Sequence, residues 1–156
     1  MGDNEEANDA AGFDAFVVDV EPRLRRAFIG CRGADVAPDA VAEALAYAWE
    51  HWEHVRALDN PSGYLFRVGQ SRTRRRRQGV LPAPTALRCA EVEPALIPAL
   101  MSLSDRQRTA VWLVHGCDWS YAEVADAMHL SASAVGTHVA RALAHLRDQL
   151  EVDTNV

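Results

Sequence analysis

The chain has 156 residues, 49% hydrophobic and 24% charged, the balance of a soluble globular protein of one ordinary domain or two very small ones. That composition excludes collagenous, low-complexity and wholly disordered chains. No apolar run reaches the roughly 18 residues of a membrane span, and the acidic N-terminus lacks the basic-then-apolar pattern of a secretion signal, so a cytoplasmic location without membrane contact is expected. The net charge of -6 hides a segregation: residues 1–60 sum to -8, residues 61–90 to +7 and residues 91–156 to -5. All 16 basic residues are arginines, and a cluster of them inside an acidic molecule suits one local polyanion contact while the remaining surface repels phosphate.

Residues 1–10 are small, polar and acidic, and carry too little apolar surface to order themselves; they are expected to be a disordered tail. From Phe13 the pattern turns helical, with Phe16, Val17, Val20 and Leu24 recurring at three- and four-residue steps through Pro22, which should bend or divide the segment. A second helix is predicted from Pro38 to Leu58, with Val41, Leu45, Ala48, Trp49 and Trp52 as its apolar stripe. Asn60-Pro61-Ser62-Gly63 reads as a turn, after which Tyr64, Leu65 and Val68 open a third helix that runs into the arginines. Residues 80–98 hold prolines and little periodicity, the signature of a linker. The fold class predicted is all-α: an acidic tail over 1–10, a helical domain over 11–79, the linker over 80–98 and a second helical domain over 99–152.

Helix punctuation in the last third is explicit. Ser104 with Gln107 and Ser120 with Glu123 are capping boxes, each marking a helix start, and Gly116 offers a left-handed stop between them. A short helix from Tyr121 to Met128 should bury Val124, Ala125 and Met128. His129-Leu130-Ser131 then makes a tight turn, and Ser131 caps a final helix whose inner stripe is Val135, Val139, Ala142, Leu146 and Leu150. A short helix, a turn and a longer helix match the helix-turn-helix, whose second helix enters a DNA major groove. Its outward face would present Ser133, Gly136, Thr137, Ala140 and Arg141.

An enzyme reading has little to rest on. His51 and His54, with Glu50 and Glu53, share a helix face but do not form HExxH and have no third ligand placed by spacing. Cys31, Cys89 and Cys117 are far apart and include no CxxC pair, so they read as reduced, partly buried thiols. Neither a nucleophile elbow nor a phosphate-binding loop is present, and neither a catalytic residue, a metal nor a cofactor is expected.

In their order along the chain, three segments resemble the extracytoplasmic-function (ECF) group of sigma factors, the promoter-specificity subunits of bacterial RNA polymerase. LSDRQRTAVWLVHGCDWSYAEVADAMHLSASAVGTHVARALAHLR is similar to the domain of that group that reads the -35 element, and SYAEVA is its most specific piece. DAVAEALAYAWEHW resembles the helix that binds the polymerase clamp, and NPSGYLFRVGQSRTRRRRQ the helix that melts and grips the -10 element. The resemblance covers residues 12–150. It implies contacts to the beta-prime clamp and beta flap of core polymerase and to promoter DNA, and admits an anti-sigma factor as a further partner. By the same resemblance, Asp39, Glu43 and Trp49 fall on clamp-binding positions, and Tyr64, Phe66, Arg67, Arg72, Arg74 and Arg75 on the melting segment. Ser133, Gly136, Thr137, His138 and Arg141 fall on the -35-reading helix.

Departures from the pattern bear on affinity. His129 replaces the usual glycine of the turn, Gly136 and His138 stand where basic residues are common, and Ala42 replaces a polar clamp-helix position. Weak autonomous -35 binding is therefore expected. Two rival readings remain open at this point: a sigma-like adaptor that docks on polymerase without melting DNA, and a LuxR-like regulator, whose DNA-binding motif ends much like VGTHVARAL.

Overall fold

The computed structural model describes residues 2–74 and 95–154. Arg75, the rest of the arginine run and Cys89 lie outside the described residues. Eight α-helices and no strand occur among those described: α1 (Gly2–Arg32), α2 (Ala37–Glu50), α3 (Trp52–Arg56), α4 (Pro61–Arg74), α5 (Leu96–Ser102), α6 (Asp105–Val111), α7 (Tyr121–Met128) and α8 (Ala132–Thr154).

α1 begins at Gly2, so the segment expected as a tail is helical, and Pro22 lies inside the helix without dividing it. Acidic residues near a helix N-terminus face the positive end of its dipole, and Asp9 is anchored by an ion pair to Arg56 at 3.0 Å. Burial of Val20 before Pro22 and of Leu24, Ala27 and Phe28 beyond it offsets the cost of about 3 kcal/mol that an interior proline carries. The second predicted helix is two: it breaks at His51, whose backbone leaves the helical region at φ -125°, ψ 33°. The break turns Trp52 under α1, where its ring meets Phe13 at 5.2 Å and Phe16 at 5.1 Å between centroids.

α4 starts three residues earlier than the sequence pattern suggests. Asn60 is its cap, with Oδ1 accepting from the Gly63 N–H at 3.0 Å, and Pro61 follows, where a missing N–H costs nothing. Deeper in the helix, Gly69 permits a close approach: a β-carbon there would meet Phe28 Cζ at 2.5 Å and the Ala40 carbonyl oxygen at 2.6 Å. α5 occupies the end of the predicted linker, with Pro98 in its first turn.

Both capping boxes are formed. α6 runs on into a wide π-type turn over Trp112–Gly116. Gly116 ends this element, but the left-handed residue is Asp118 at φ 56°. The absence of a side chain at Gly116 serves another purpose, since the Trp112 ring would stand 2.7 Å from a β-carbon there.

One continuous apolar core joins α1, α2 and α4 to the C-terminal elements, running from Val20, Phe28 and Phe66 through Leu113, Trp119 and Val124 to Val135 and Val139. Ala99, Leu103, Val111, Ala142 and Leu146 form a smaller cluster that seats α5 and α6 on α8.

Candidate nucleic-acid interface

α7, the turn and α8 form the helix-turn-helix. Val124, Ala125 and Ala127 face inward from α7, while Met128 is half-buried against the core. His129 caps α7 in the left-handed region at φ 54°, ψ 46°, a conformation that costs a side-chain-bearing residue and explains why glycine is the easier choice there. Its N–H is satisfied by the last carbonyls of α7. Ser131 Oγ then accepts from the Ala134 N–H at 3.1 Å and starts α8. With Val135, Val139, Ala142 and Leu146 buried, α8 exposes Ser133, Thr137, Ala140 and Arg141, and leaves Gly136 and His138 half-buried. The expected outward face is thus the solvent face. It holds hydroxyls, a bare backbone at Gly136 and one guanidinium, a set that can hydrogen-bond base edges and phosphates with little net charge.

A second array lies where α2 meets α4. The Tyr47 hydroxyl pairs with that of Tyr64 at 2.8 Å, and this hydrogen bond, with partial burial, raises the Tyr47 phenol above its ordinary value. His51 stacks on Tyr47 at 4.1 Å, His54 meets Tyr64 edge-on at 5.5 Å, and the guanidiniums of Arg72 and Arg67 lie over Tyr47 and Tyr64 at 5.2 and 5.4 Å. The two histidines weighed as metal ligands are thus parts of an aromatic strip. Tyr47 escapes the sequence reading, which considers His51 only as a candidate metal ligand; the four-residue spacing of the two is the available signal.

Arg72 also reaches Glu43 at 3.3 Å and Glu50 at 3.9 Å, so a residue of α4 holds two of α2. Trp49, 55% exposed, projects beside Phe13. Phe66 departs from expectation. It is 0% exposed, stacked on Phe28 at 4.8 Å and edge-on to Trp119 at 5.7 Å, and in this arrangement it is a core ring rather than a platform for a base.

Polar contacts tie the two halves together. Arg23 donates to Glu123 at 2.8 Å and to Ser62 Oγ at 3.2 Å, and lies over the Trp119 ring at 5.6 Å. Asn60 Nδ2 donates to Asp126 at 3.2 Å, Arg67 to His129 Nδ1 at 3.0 Å, and Trp112 Nε1 to the Arg26 carbonyl at 3.2 Å. Burial alone would raise the Glu123 carboxyl, but the Arg23 guanidinium and the Ser120 cap hold it below the usual range. Cys31 and Cys117 are pushed up to about 12, chiefly by burial, which keeps both as neutral thiols with little nucleophilic character.

Comparison with known proteins bears on both halves. Residues 95–146 match the family described as sigma-70, region 4. The chain is also similar to the sigma factor RpoE from Bartonella quintana, solved in complex with the anti-sigma factor NepR: 24% identity, a TM-score of 0.70, and coverage of 91% of this chain and 98% of that one. No curated protein matches the sequence. The C-terminal helices are therefore similar to sigma-70 region 4, and the likeness to RpoE shows a common fold across nearly the whole chain.

Proposed function

We propose that this chain is an RNA polymerase sigma factor of the ECF group, binding core polymerase and directing initiation at promoters with a -35 and a -10 element. The observation that carries this reading is the region 4 match lying on a helix-turn-helix with an exposed reading face, set on an N-terminal bundle of sigma-factor fold. In it, Arg141, Ser133 and Thr137 of α8 face the major groove, where Gly136 lets the backbone approach and His138 borders the contact. Arg67, Arg72, Arg74 and Arg75 neutralise -10 phosphates, while Tyr64 and its partner Tyr47 offer faces for unpaired bases, a contact worth about 1–3 kcal/mol per ring. Asp39 and Glu43 meet a basic surface of the beta-prime clamp, and the exposed indole of Trp49 is the kind of aromatic anchor that dominates protein interfaces. Region 4 meets the beta flap. By analogy with the RpoE complex, an anti-sigma factor is a further partner.

Reconstitution tests the reading. The purified chain combined with core polymerase should co-migrate and give run-off transcripts from a subset of genomic promoter fragments. Co-migration without any transcript would establish the adaptor instead. Tight, steeply salt-dependent promoter binding by the isolated chain would make it a self-sufficient regulator, because one exposed α8 guanidinium at the reading face supports only a shallow salt slope, about -0.9 per phosphate.

A further inference from the structure

Two columns of side chains cross the seam between α2 and α4, each made of an imidazole, a phenol and a guanidinium: His51, Tyr47 and Arg72 in one, His54, Tyr64 and Arg67 in the other. They differ in how the imidazole meets its phenol. His54 and Tyr64 cross at 72°, whereas His51 lies on Tyr47 with 14° between the planes and 4.1 Å between centroids, the parallel contact that a nucleobase makes with an aromatic side chain. From this geometry we infer that His51 is a placeholder: the face of Tyr47 beneath it is a stacking site for an unpaired base, and a base occupies that face by displacing the imidazole. The inference rests on the assignment of α4 and its surroundings as the -10 face, and names which ring face takes a base and what must leave it.

The platform is fixed and its cover is loose. Tyr47 lies within α2 and its hydroxyl is bonded to that of Tyr64 at 2.8 Å, so the phenol is held at both ends. His51 is exposed, stands at the break between α2 and α3, and holds its ring in place by Nδ1 donating to the Tyr47 carbonyl at 3.1 Å. The His51 backbone N–H bonds the same carbonyl at 3.0 Å, so the ring can rotate away while the break keeps its backbone contact. The displaced ring also has somewhere to go. His51 borders an open cleft of about 580 Å³ lined by Asp9, Trp49, Glu50, Trp52, Glu53 and His54, whose three carboxylates can accept from an imidazole N–H in place of the Tyr47 carbonyl. A five-membered ring covers less of a phenol than a pyrimidine or purine does, so the exchange gains contact area. Arg72, 5.2 Å from the centre of the same phenol, supplies a cation beside the site for the phosphate of the incoming nucleotide.

Photo-crosslinking and titration of the full-length chain test the placeholder. The probe is a fluorescein-labelled dodecamer of thymidine, and the same strand with one central 5-iodouracil, which crosslinks on irradiation to an aromatic side chain against which it stacks. Peptide mass spectrometry should place the crosslink on Tyr47, with a higher yield in His51→Ala than in wild type. By anisotropy at fixed salt, His51→Ala should bind the dodecamer about threefold or more tighter, because the base no longer competes with a ring for the face. His51→Gln, which retains a donor for the Tyr47 carbonyl but has no ring, should gain as much. Tyr47→Leu should bind about fivefold or more weaker, since a stacked base is worth about 5- to 140-fold in affinity, and should cancel the gain of His51→Ala when the two are combined. Tyr47→Phe keeps the face and should restore the binding that leucine loses.

A crosslink that never maps to Tyr47, ringless His51 variants that bind no tighter, or a double variant that keeps the gain overturns the placeholder. Far-UV circular dichroism checks the fold of each variant, and the wild-type crosslink together with the exposed His51 pair decides even where Tyr47→Leu misfolds. Run-off transcription separates this inference from the reading beneath it. A chain that initiates with core polymerase yet never crosslinks through Tyr47 sinks only the placeholder, whereas one that crosslinks there and never initiates on any promoter fragment keeps the single-strand site and sinks the sigma assignment.

Discussion

Replacing Phe66 with alanine distinguishes a core ring from a DNA-stacking ring by its effect on the free protein. The side chain is 0% exposed and stacked on Phe28 with centroids 4.8 Å apart, while Trp119 meets it at 76° from the other half of the chain. Truncating a buried phenylalanine forfeits its transfer free energy and leaves a cavity, together about 3–5 kcal/mol. For a domain of this size each kcal/mol lowers Tm by roughly 2–4 °C, so a fall of roughly 6–20 °C is expected, with the urea midpoint moving in step. A double-mutant cycle with Trp119→Leu should return a coupling of about 0.5–1.5 kcal/mol for the lost edge-on pair. A loss under about 1 kcal/mol for Phe66→Ala would mean the ring is not in the core, and zero coupling to Trp119 would mean that the halves do not share one.

Three further outcomes follow from the same geometry. Arg141→Ala should reduce transcription from a -35-dependent promoter by roughly fivefold or more, the lower end of one base or phosphate contact, and change little once the -35 element is scrambled, as run-off assays would read. Gly69→Ala should destabilise the N-terminal bundle by about 1–3 kcal/mol less the small gain in helix propensity, measured by urea unfolding, because its β-carbon has no room against Phe28 and the Ala40 carbonyl. The Glu123 carboxyl is held below its ordinary value, so it contributes stability that is full above the unfolded-state pKa and is lost as pH falls through the lower folded value. Unfolding midpoints should therefore drop more steeply for wild type than for Glu123→Gln on acidification below the usual glutamate range, and identical pH profiles would remove Glu123 from the account.

Local chemistry was legible in the sequence wherever one stretch of chain decides it. The capping boxes at Ser104 and Ser120, the turn at His129, the start of α8 at Ser131 and the solvent-facing Ser133, Thr137 and Arg141 follow from side chains bonding their own backbone or from a 3.6-residue period, and the structure has them. What required tertiary contact was not legible. Pro22 leaves α1 undivided because packing on both sides of it outweighs the local cost, and α2 breaks at His51 because Trp52 finds Phe13 and Phe16 on another helix. Asn60 reads as part of a turn until its carboxamide is seen to cap α4 while bonding α7. Above all, periodicity places Phe66 on a helix but cannot say what lies opposite. That partner is Trp119, 53 positions along the chain, and only the folding of α7 against α4 brings it there.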